Sequence, residues 1–531
     1  MDFKPLLYTT TIRNPERYKD FMHLLYKYEG QILTDDLITN FERDAFKIGL
    51  YRPMQQTDSV RAKWRTAKKG ELCEIALTDK ETLDIARLND SRINPAIKGH
   101  KEAGFDYGWP SRFDTQFKLM KRFGFVYYEM GKPIRFSEIG KYMAQIVSIT
   151  IQDEYVSREI VHPEYEQMAF LQSMVKEQRC NPFIQEANDN VPLILLLQTI
   201  KYINADKRFN NCGISKKELP LVIFWKDNDA KALYERIVKL REEYGYNPSD
   251  EVIEDICTNE ILGGFKKFKL ESIMQEYPDD FIRKMRLTGL ISLRGAGRFI
   301  DINHLEDTKI EYVLNTYSSY KKYTDPELYF NYVSSIDPNL FSIEAEAVEE
   351  TQTSEFVGQW ADHYKWDKIK DELQILSKRA SSSDPVLKFI PAPARLEFLT
   401  AIAIKAKYPD TVVVPNYSID DTGLPTSTAG GNKGDIECFE DINAYLVEVT
   451  MAEGRTQTMM EVWPIERHLE EFKTRTSESS QCVFVAPSIF DDTMRQIKFV
   501  KIDAGHYIRP YNIPDFINYL ESNPRLYEAA Y

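Results

Sequence analysis

Apolar and polar positions follow two different rhythms along this chain, and the places where one gives way to the other mark its elements. Near the N-terminus apolar residues recur every three or four positions, the helical period. In NPERYKDFMHLLYKYEG (residues 14–30), Asn14 stands as the N-cap, Pro15 at the first helical position, Glu16 in the first turn and Gly30 beyond the end. TDDLITNFERDAFKIGLYRP repeats the plan with Thr34 as cap. Twice the helical rhythm then runs straight into alternation. SRFDTQFKLMKRFGFVYYEMGKPIRFSEIGKYMAQI (111–146) reads as helix, strand, Gly-Lys-Pro turn, strand end and helix. ESIMQEYPDDFIRKMRLTGLISLRGAGRFIDI (271–302) reads as a helix entering LISL, a Gly-Ala-Gly turn and RFIDI. A helix followed directly by a β-ribbon is the winged-helix pattern, in which a helix enters the DNA groove and the wing touches backbone. A helix–hairpin core without a DNA role would leave the same trace.

The C-terminal part has a different order. EAEAVEE (344–350), a helix in DKIKDELQILSKRA and the loop SSSDP (381–385) read as a connector. Beyond it, PAPARLEFLTAIAIKAKY is a helix opened by prolines and TVVVPNY a short β-branched strand. MMEVWPIERHLEEFKTR is a further helix, and QCVFVAPS and QIKFVKI read as strands. Helices alternating with strands predict a mixed sheet flanked by helices. The expected domains are therefore 1–155 and 156–334, two mostly helical recognition subdomains with winged-helix units. A helical linker over 335–386 and an α/β domain over 387–531 follow.

Composition narrows the class. A chain of 531 residues exceeds a single core, and 43% apolar with 28% charged residues describes a soluble globular protein. No apolar run is long enough to span a bilayer, and Met-Asp-Phe-Lys-Pro does not open a secretory signal. Six cysteines without a C-x-x-C pair fit a reducing cytoplasm and argue against structural zinc. A net charge of −14 does not by itself point to nucleic acid, but the basic residues are clustered. RAKWRTAKKG carries Arg61, Lys63, Arg65, Lys68 and Lys69 without an acid. The helices before the two wings carry Lys121 and Arg122, and Arg283, Lys284 and Arg286. These are the candidate DNA contacts. A solvated helix face is the competing reading of each run.

The candidate chemistry lies in LPTSTAGGNKGDIECFEDINAYLVEVTM (424–451). A glycine-rich loop delivers Asp435, and Glu448 stands inside the strand-like run Tyr-Leu-Val-Glu-Val-Thr. The two acids are 13 positions apart, room for two short strands and a turn. Glu448 is either the outward residue of an alternating strand or half of a metal site. Phosphodiester hydrolysis uses Mg²⁺ on one or two carboxylates, and Asp, a gap and Glu-x-Lys is the nuclease pattern. Here Thr450 stands where that pattern has lysine. Glu461 and His468, seven apart, share a face if the helix through Pro464 is unbroken, and Glu397 has Ala394, Thr400 and Ala401 as same-face neighbours. Singly, each of the last three also reads as an ordinary surface residue.

LYTTTIRNPERYKDF, GLYRP, RLEFLTAIAI, GGNKGDIEC and VEVTMAEGRTQ together resemble the AlwI family of type IIS restriction endonucleases, which includes nicking endonucleases of the BstNBI kind. The resemblance runs from residue 8 to beyond 470. It implies a winged-helix recognition region tethered to a PD-(D/E)XK cleavage domain. The enzyme would be an Mg²⁺-dependent, site-specific deoxyribonuclease that cuts duplex DNA outside an asymmetric site, or nicks one strand. It carries over Asp435 and Glu448 as metal-binding catalytic residues, with Glu461, Glu397 and His468 beside them. It further implies double-stranded DNA as partner, a transient homodimer or second nuclease subunit for the other strand, a cognate DNA methyltransferase in the host, and no membrane. The competing classes are a DNA-binding regulator with a decayed nuclease domain and a structure-specific repair nuclease.

Overall fold

The computed structural model describes residue 12 and residues 14–66, 72–90, 93, 105–106, 108–184, 188–209, 212–264, 267–430 and 433–526. The chain forms two compact units, Met1–Ala345 and Glu346–Tyr531. The first is mostly helical. Its opening helices Glu16–Tyr26 and Asp35–Lys47 start where the cap residues stand. Asn14 Oδ1 accepts from the Glu16 N–H at 3.2 Å and Thr34 Oγ1 from the Leu37 N–H at 3.2 Å. Phe21, Phe41, Phe113, Phe117 and Tyr128 interlock edge to face in its core.

Both helix-to-ribbon transitions occur. Helix Trp109–Arg122 leads into the antiparallel strands Val126–Tyr127 and Arg135–Phe136, with Gly131 at φ 78° in the turn. Helix Tyr277–Arg286 leads into Ile291–Arg294 and Phe299–Ile302. Gly295, Ala296 and Gly297 all adopt positive φ in that turn, which two of the three residues do without steric cost. The earlier strand Ile214–Ser215 pairs with Phe299–Ile302 and completes a three-stranded sheet.

The second unit holds the alternating elements. In chain order they are α1 (Glu350–Ser377), α2 (Ala392–Lys407), β1 (Val412–Pro415), β2 (Tyr417–Ile419), β3 (Pro425–Ala429), β4 (Ile436–Glu440), β5 (Asn443–Val449), α3 (Gly454–Met460), α4 (Val462–Arg475), β6 (Gln481–Ala486), α5 (Asp491–Asp503), β7 (Ile508–Asn512) and α6 (Ile513–Ser522). Five strands form one mixed sheet in the order β7-β6-β5-β4-β1. Strands β5, β6 and β7 run parallel; β4 is antiparallel to both β5 and β1. Strands β2 and β3 form a separate two-stranded ribbon. One sheet face packs on α4 and α5, where Ala444, Leu446, Cys482 and Phe484 meet Val462, Ile465, Leu469, Phe472, Ile497 and Val500. The stretch read as a connector lies partly in this unit: α1, broken at Lys365 (φ 58°), packs against α2 and β1.

One strand expectation fails. QIKFVKI lies within α5, and the edge-strand position is filled by β7. The apolar residues of QIKFVKI suit either period. Burial settles it, because Thr493, Ile497 and Val500 are buried at helical spacing while Phe499 and Ile502 are exposed. Among the described residues no helix is long and apolar enough to cross a membrane.

Candidate active site

Asp435 and Glu448 come together because β4 and β5 are consecutive antiparallel strands. Ile436 pairs with Val447, so one step further along the register Asp435 faces Glu448. Such opposed residues have Cβ atoms about 5 Å apart, and like charges there repel. Glu448 is buried and Asp435 half-buried. Asp435 Oδ2 accepts from the Val449 N–H at 2.7 Å, and its carbonyl accepts from the Asn416 N–H at 2.8 Å. The pleat turns Glu448 to the same face as Ala444 and Leu446, toward α4, so it is not the outward residue of an alternating strand.

Helix α4 supplies the neighbours. Glu461 is the hinge between α3 and α4 (φ −104°), and α4 restarts at Val462, which places Pro464 in a first turn. An N-terminal turn needs no donor from its third residue, so the proline there removes no helical hydrogen bond. Two turns on, His468 Nδ1 lies 2.9 Å from Glu448 Oε1, both side chains buried. The contact joins His468 to the Glu448 carboxylate. Thr450, in the lysine position of the nuclease pattern, donates its hydroxyl to Glu461 Oε1 at 2.8 Å. On the other side, Glu397 of α2 is buried, and its Oε2 accepts from the Ala429 N–H of β3 at 3.0 Å.

The electrostatics are those of a crowded acidic cluster. Burial, then the charge of Glu448, holds Asp435 well above the usual carboxylate range, against the opposing Val449 N–H. Burial and Glu461 do the same to Glu448, and burial and Asp435 to Glu397. The charges that weigh most on the three acids are all negative. A hard-oxygen donor set short of a cation suits a divalent ion such as Mg²⁺. Among the described residues no three acidic, histidine or cysteine side chains close tightly enough to enclose an ion. An ion held here would rest on Asp435 and Glu448 and complete its shell from water and substrate oxygens, as Mg²⁺ does.

Gly434, which the residue pattern did not single out, shapes the pair. A Cβ at Gly434 would lie 2.8 Å from Glu448 Oε1 and 2.3 Å from Leu446 Cδ1. The glycine is needed for space, and its position directly before Asp435 was the available clue.

The basic candidates separate into two groups. Arg122 is buried in an ion pair with Glu177 at 2.6 Å, and Lys284 in one with Asp280 at 2.7 Å. Arg286 is buried and donates to the Ile291 carbonyl. Lys121 Nζ donates to the Tyr128 carbonyl at 2.8 Å and lies over the rings of Tyr127, Tyr128 and Phe183. These four are engaged by partners within the fold. The helices before the ribbons turn them inward to pack the module. Arg61 and Arg65 are exposed, Lys63 is half-buried and pairs with Glu81 at 2.7 Å, and Arg283 is half-buried. Lys68 and Lys69 lie outside the described residues.

The class of protein follows from the family model that fits this chain: it is a restriction endonuclease. The model, described as AlwI restriction endonuclease, matches residues 121–350 and 331–519, most of the chain, and the chain belongs to that family. Among curated proteins none matches. Of solved structures, the small subunit (R.BspD6I2) of the heterodimeric restriction endonuclease R.BspD6I is 22% identical over 30% of this chain and 82% of its own, with a TM-score of 0.25. Restriction endonuclease FokI is 9% identical over 99% of this chain and 97% of its own, TM-score 0.25. FokI bound to DNA is 11% identical over the same shares, TM-score 0.20.

Proposed function

We propose that this restriction endonuclease is a type IIS enzyme of the PD-(D/E)XK kind, which binds a short asymmetric duplex sequence and hydrolyses a phosphodiester bond outside it. The observation that carries the reading is the facing Asp435–Glu448 pair on adjacent strands of a mixed sheet, in a chain of this family. Asp435 and Glu448 would hold a divalent ion, which when bound neutralises phosphate charge and lowers the pKa of water. His468 fixes the Glu448 carboxylate through Nδ1. Glu461, held by the Thr450 hydroxyl, takes the place of the absent lysine and orients the attacking water. Glu397, held by the Ala429 N–H, would bear on the ion through water. Water adds to phosphorus, one ester P–O bond breaks, and the products are a phosphate monoester and a hydroxyl.

In this reading the helix–ribbon units of 109–145 and 277–302, the second with its additional strand, are winged-helix modules that read the duplex. The exposed Arg61 and Arg65 contact backbone. One chain carries one such site and cuts one strand, so double-strand cleavage uses a second copy or a second nuclease subunit, and strand-specific nicking is the outcome without it. A cognate methyltransferase would protect the host DNA.

The test is supercoiled plasmid incubated with the full chain and Mg²⁺, beside Asp435→Ala and an EDTA control. The expected result is discrete linear or open-circular products that vanish in both controls. Sequence-specific binding without cleavage by the wild type would replace the reading with a DNA-binding regulator whose nuclease site has decayed.

A further inference from the structure

Two hydroxyls beside Glu397 lack the hydrogen-bond partners that several of their counterparts elsewhere in the chain have. Thr400 stands one turn after Glu397 on α2 and is fully buried. A helical threonine commonly donates to the carbonyl four residues back. Thr39, Thr199, Thr353 and Thr474 all do so, at 2.7 to 3.1 Å. The Thr400 hydroxyl instead has no protein partner. Tyr417 is similar. Tyr28, Tyr317 and Tyr364 each donate to an aspartate, at 2.6, 2.6 and 3.0 Å. The Tyr417 hydroxyl is buried and has no protein partner.

Both residues belong to the surroundings of one carboxylate. Tyr417 of β2 is directly opposite Ala429 of β3, and the Ala429 N–H is the donor that holds Glu397 Oε2. The Tyr417 ring packs against Phe398, the next residue after Glu397 on α2, at 6.5 Å between centroids. The Glu397 charge is the largest electrostatic influence on the Tyr417 phenol. Thr400, three residues on from Glu397, shares its helix face. An unsatisfied buried hydroxyl costs about 1–3 kcal/mol. Phenylalanine and valine would fill the same volumes without that cost.

We infer that Tyr417 and Thr400 are positioning residues of the cleavage centre: their hydroxyls order the hydration shell through which Glu397 bears on a divalent ion held by Asp435 and Glu448. The inference rests on the function proposed above and extends it to two side chains that touch neither ion nor substrate. Ion-bound waters are donors that need acceptors, and carboxylates need donors. A hydroxyl can serve as either, which a methyl or a phenyl hydrogen cannot.

The test uses the full chain with Tyr417→Phe, Thr400→Val and the double variant. The melting temperature of the metal-free protein, Mn²⁺ affinity by calorimetric titration and the Mg²⁺ dependence of plasmid cleavage are read for each. The expected result is a melting temperature equal to or above wild type, with Mn²⁺ affinity weaker by about tenfold, the usual effect of removing an outer-shell partner. The Mg²⁺ midpoint for cleavage moves the same way. Purely structural hydroxyls would leave Mn²⁺ affinity within twofold of wild type in both single variants, and that result overturns the inference. Should Tyr417→Phe not fold, Thr400→Val alone decides by the same criterion. Asp435→Asn in parallel separates the two readings. If it binds Mn²⁺ and cleaves like wild type, the cleavage-site assignment fails. If it loses both while Tyr417→Phe and Thr400→Val bind normally, only the present inference fails.

Discussion

Asp435 and Glu448 face each other across β4 and β5, with Glu397 and Glu461 adding to the negative field. Removing one charge without changing shape relieves the repulsion. Asp435→Asn is expected to stabilise the metal-free protein by about 0.5–2 kcal/mol while abolishing cleavage, the familiar exchange of activity for stability. Calorimetry at neutral pH checks it, and a lower melting temperature would refute it. Gly434→Ala acts on the same pair by steric means. The added methyl forces the Glu448 carboxylate or Leu446 to move, and a misplacement near 1 Å costs roughly a hundredfold in rate. Single-turnover cleavage should show that loss with DNA binding unchanged. In the first unit Glu42 provides a separate titration. Its carboxyl is buried, one oxygen meets Gln116 and the other has no protein partner, and burial pushes it up to about 8. The folded state therefore keeps a proton that the unfolded chain releases above about 4.5. Stability from this group is intact below that pH, falls as pH rises toward 8, and is flat beyond. Glu42→Gln should remove the slope from denaturation curves between pH 5 and 8. The acids of the site were legible in the sequence because strands seldom bury carboxylates without purpose. The partnership of His468 with Glu448 and the space requirement at Gly434 were not, since both depend on contacts between strand and helix that no local spacing encodes.

The helix α5 shows where pattern reading meets its limit. QIKFVKI places apolar residues at positions that serve a strand or a helix, and seven residues cannot decide between periods of two and 3.6. The outer parallel neighbour of β6 is β7, whose sequence IRPYN carries a proline and little β-branched character. It is an edge strand, where proline is tolerated. Its place follows from packing on β6 rather than from its own preference. The helical assignment predicts a sharp contrast between neighbours in sequence. Ile497 is 5% exposed and sits in the α4–α5 core, so Ile497→Ala should cost about 2–4 kcal/mol. Ile502 is 85% exposed, and Ile502→Ala should stay within about 0.5 kcal/mol. Urea denaturation of both variants checks the pair, and comparable losses would argue for a strand. Elements with caps and turns of their own were readable: Asn14, Thr34 and the Gly-Ala-Gly turn stand where they were expected. The buried cations of the two ribbon-bearing helices were not, because a basic residue facing inward looks the same in sequence as one facing DNA.

At the scale of the molecule, Met1–Ala345 and Glu346–Tyr531 each have a core of their own. Unfolding is then not a single two-state event, and variants should register in the unit that contains them. Differential scanning calorimetry is expected to show Glu42→Gln shifting one transition and Asp435→Asn shifting another. A common shift of one transition by both would contradict this. The acidic cluster of the second unit has one more consequence. Its acids strain the domain that holds them, so any change that neutralises position 435 or 448 rewards the fold at once. Under the function proposed above, a lineage released from the need to cut DNA would lose these residues early and keep the rest. Enzymes of this design thus carry a built-in route to harmlessness, and sterile descendants that still grip their sites, sturdier than their active ancestors, are what neglect would leave behind.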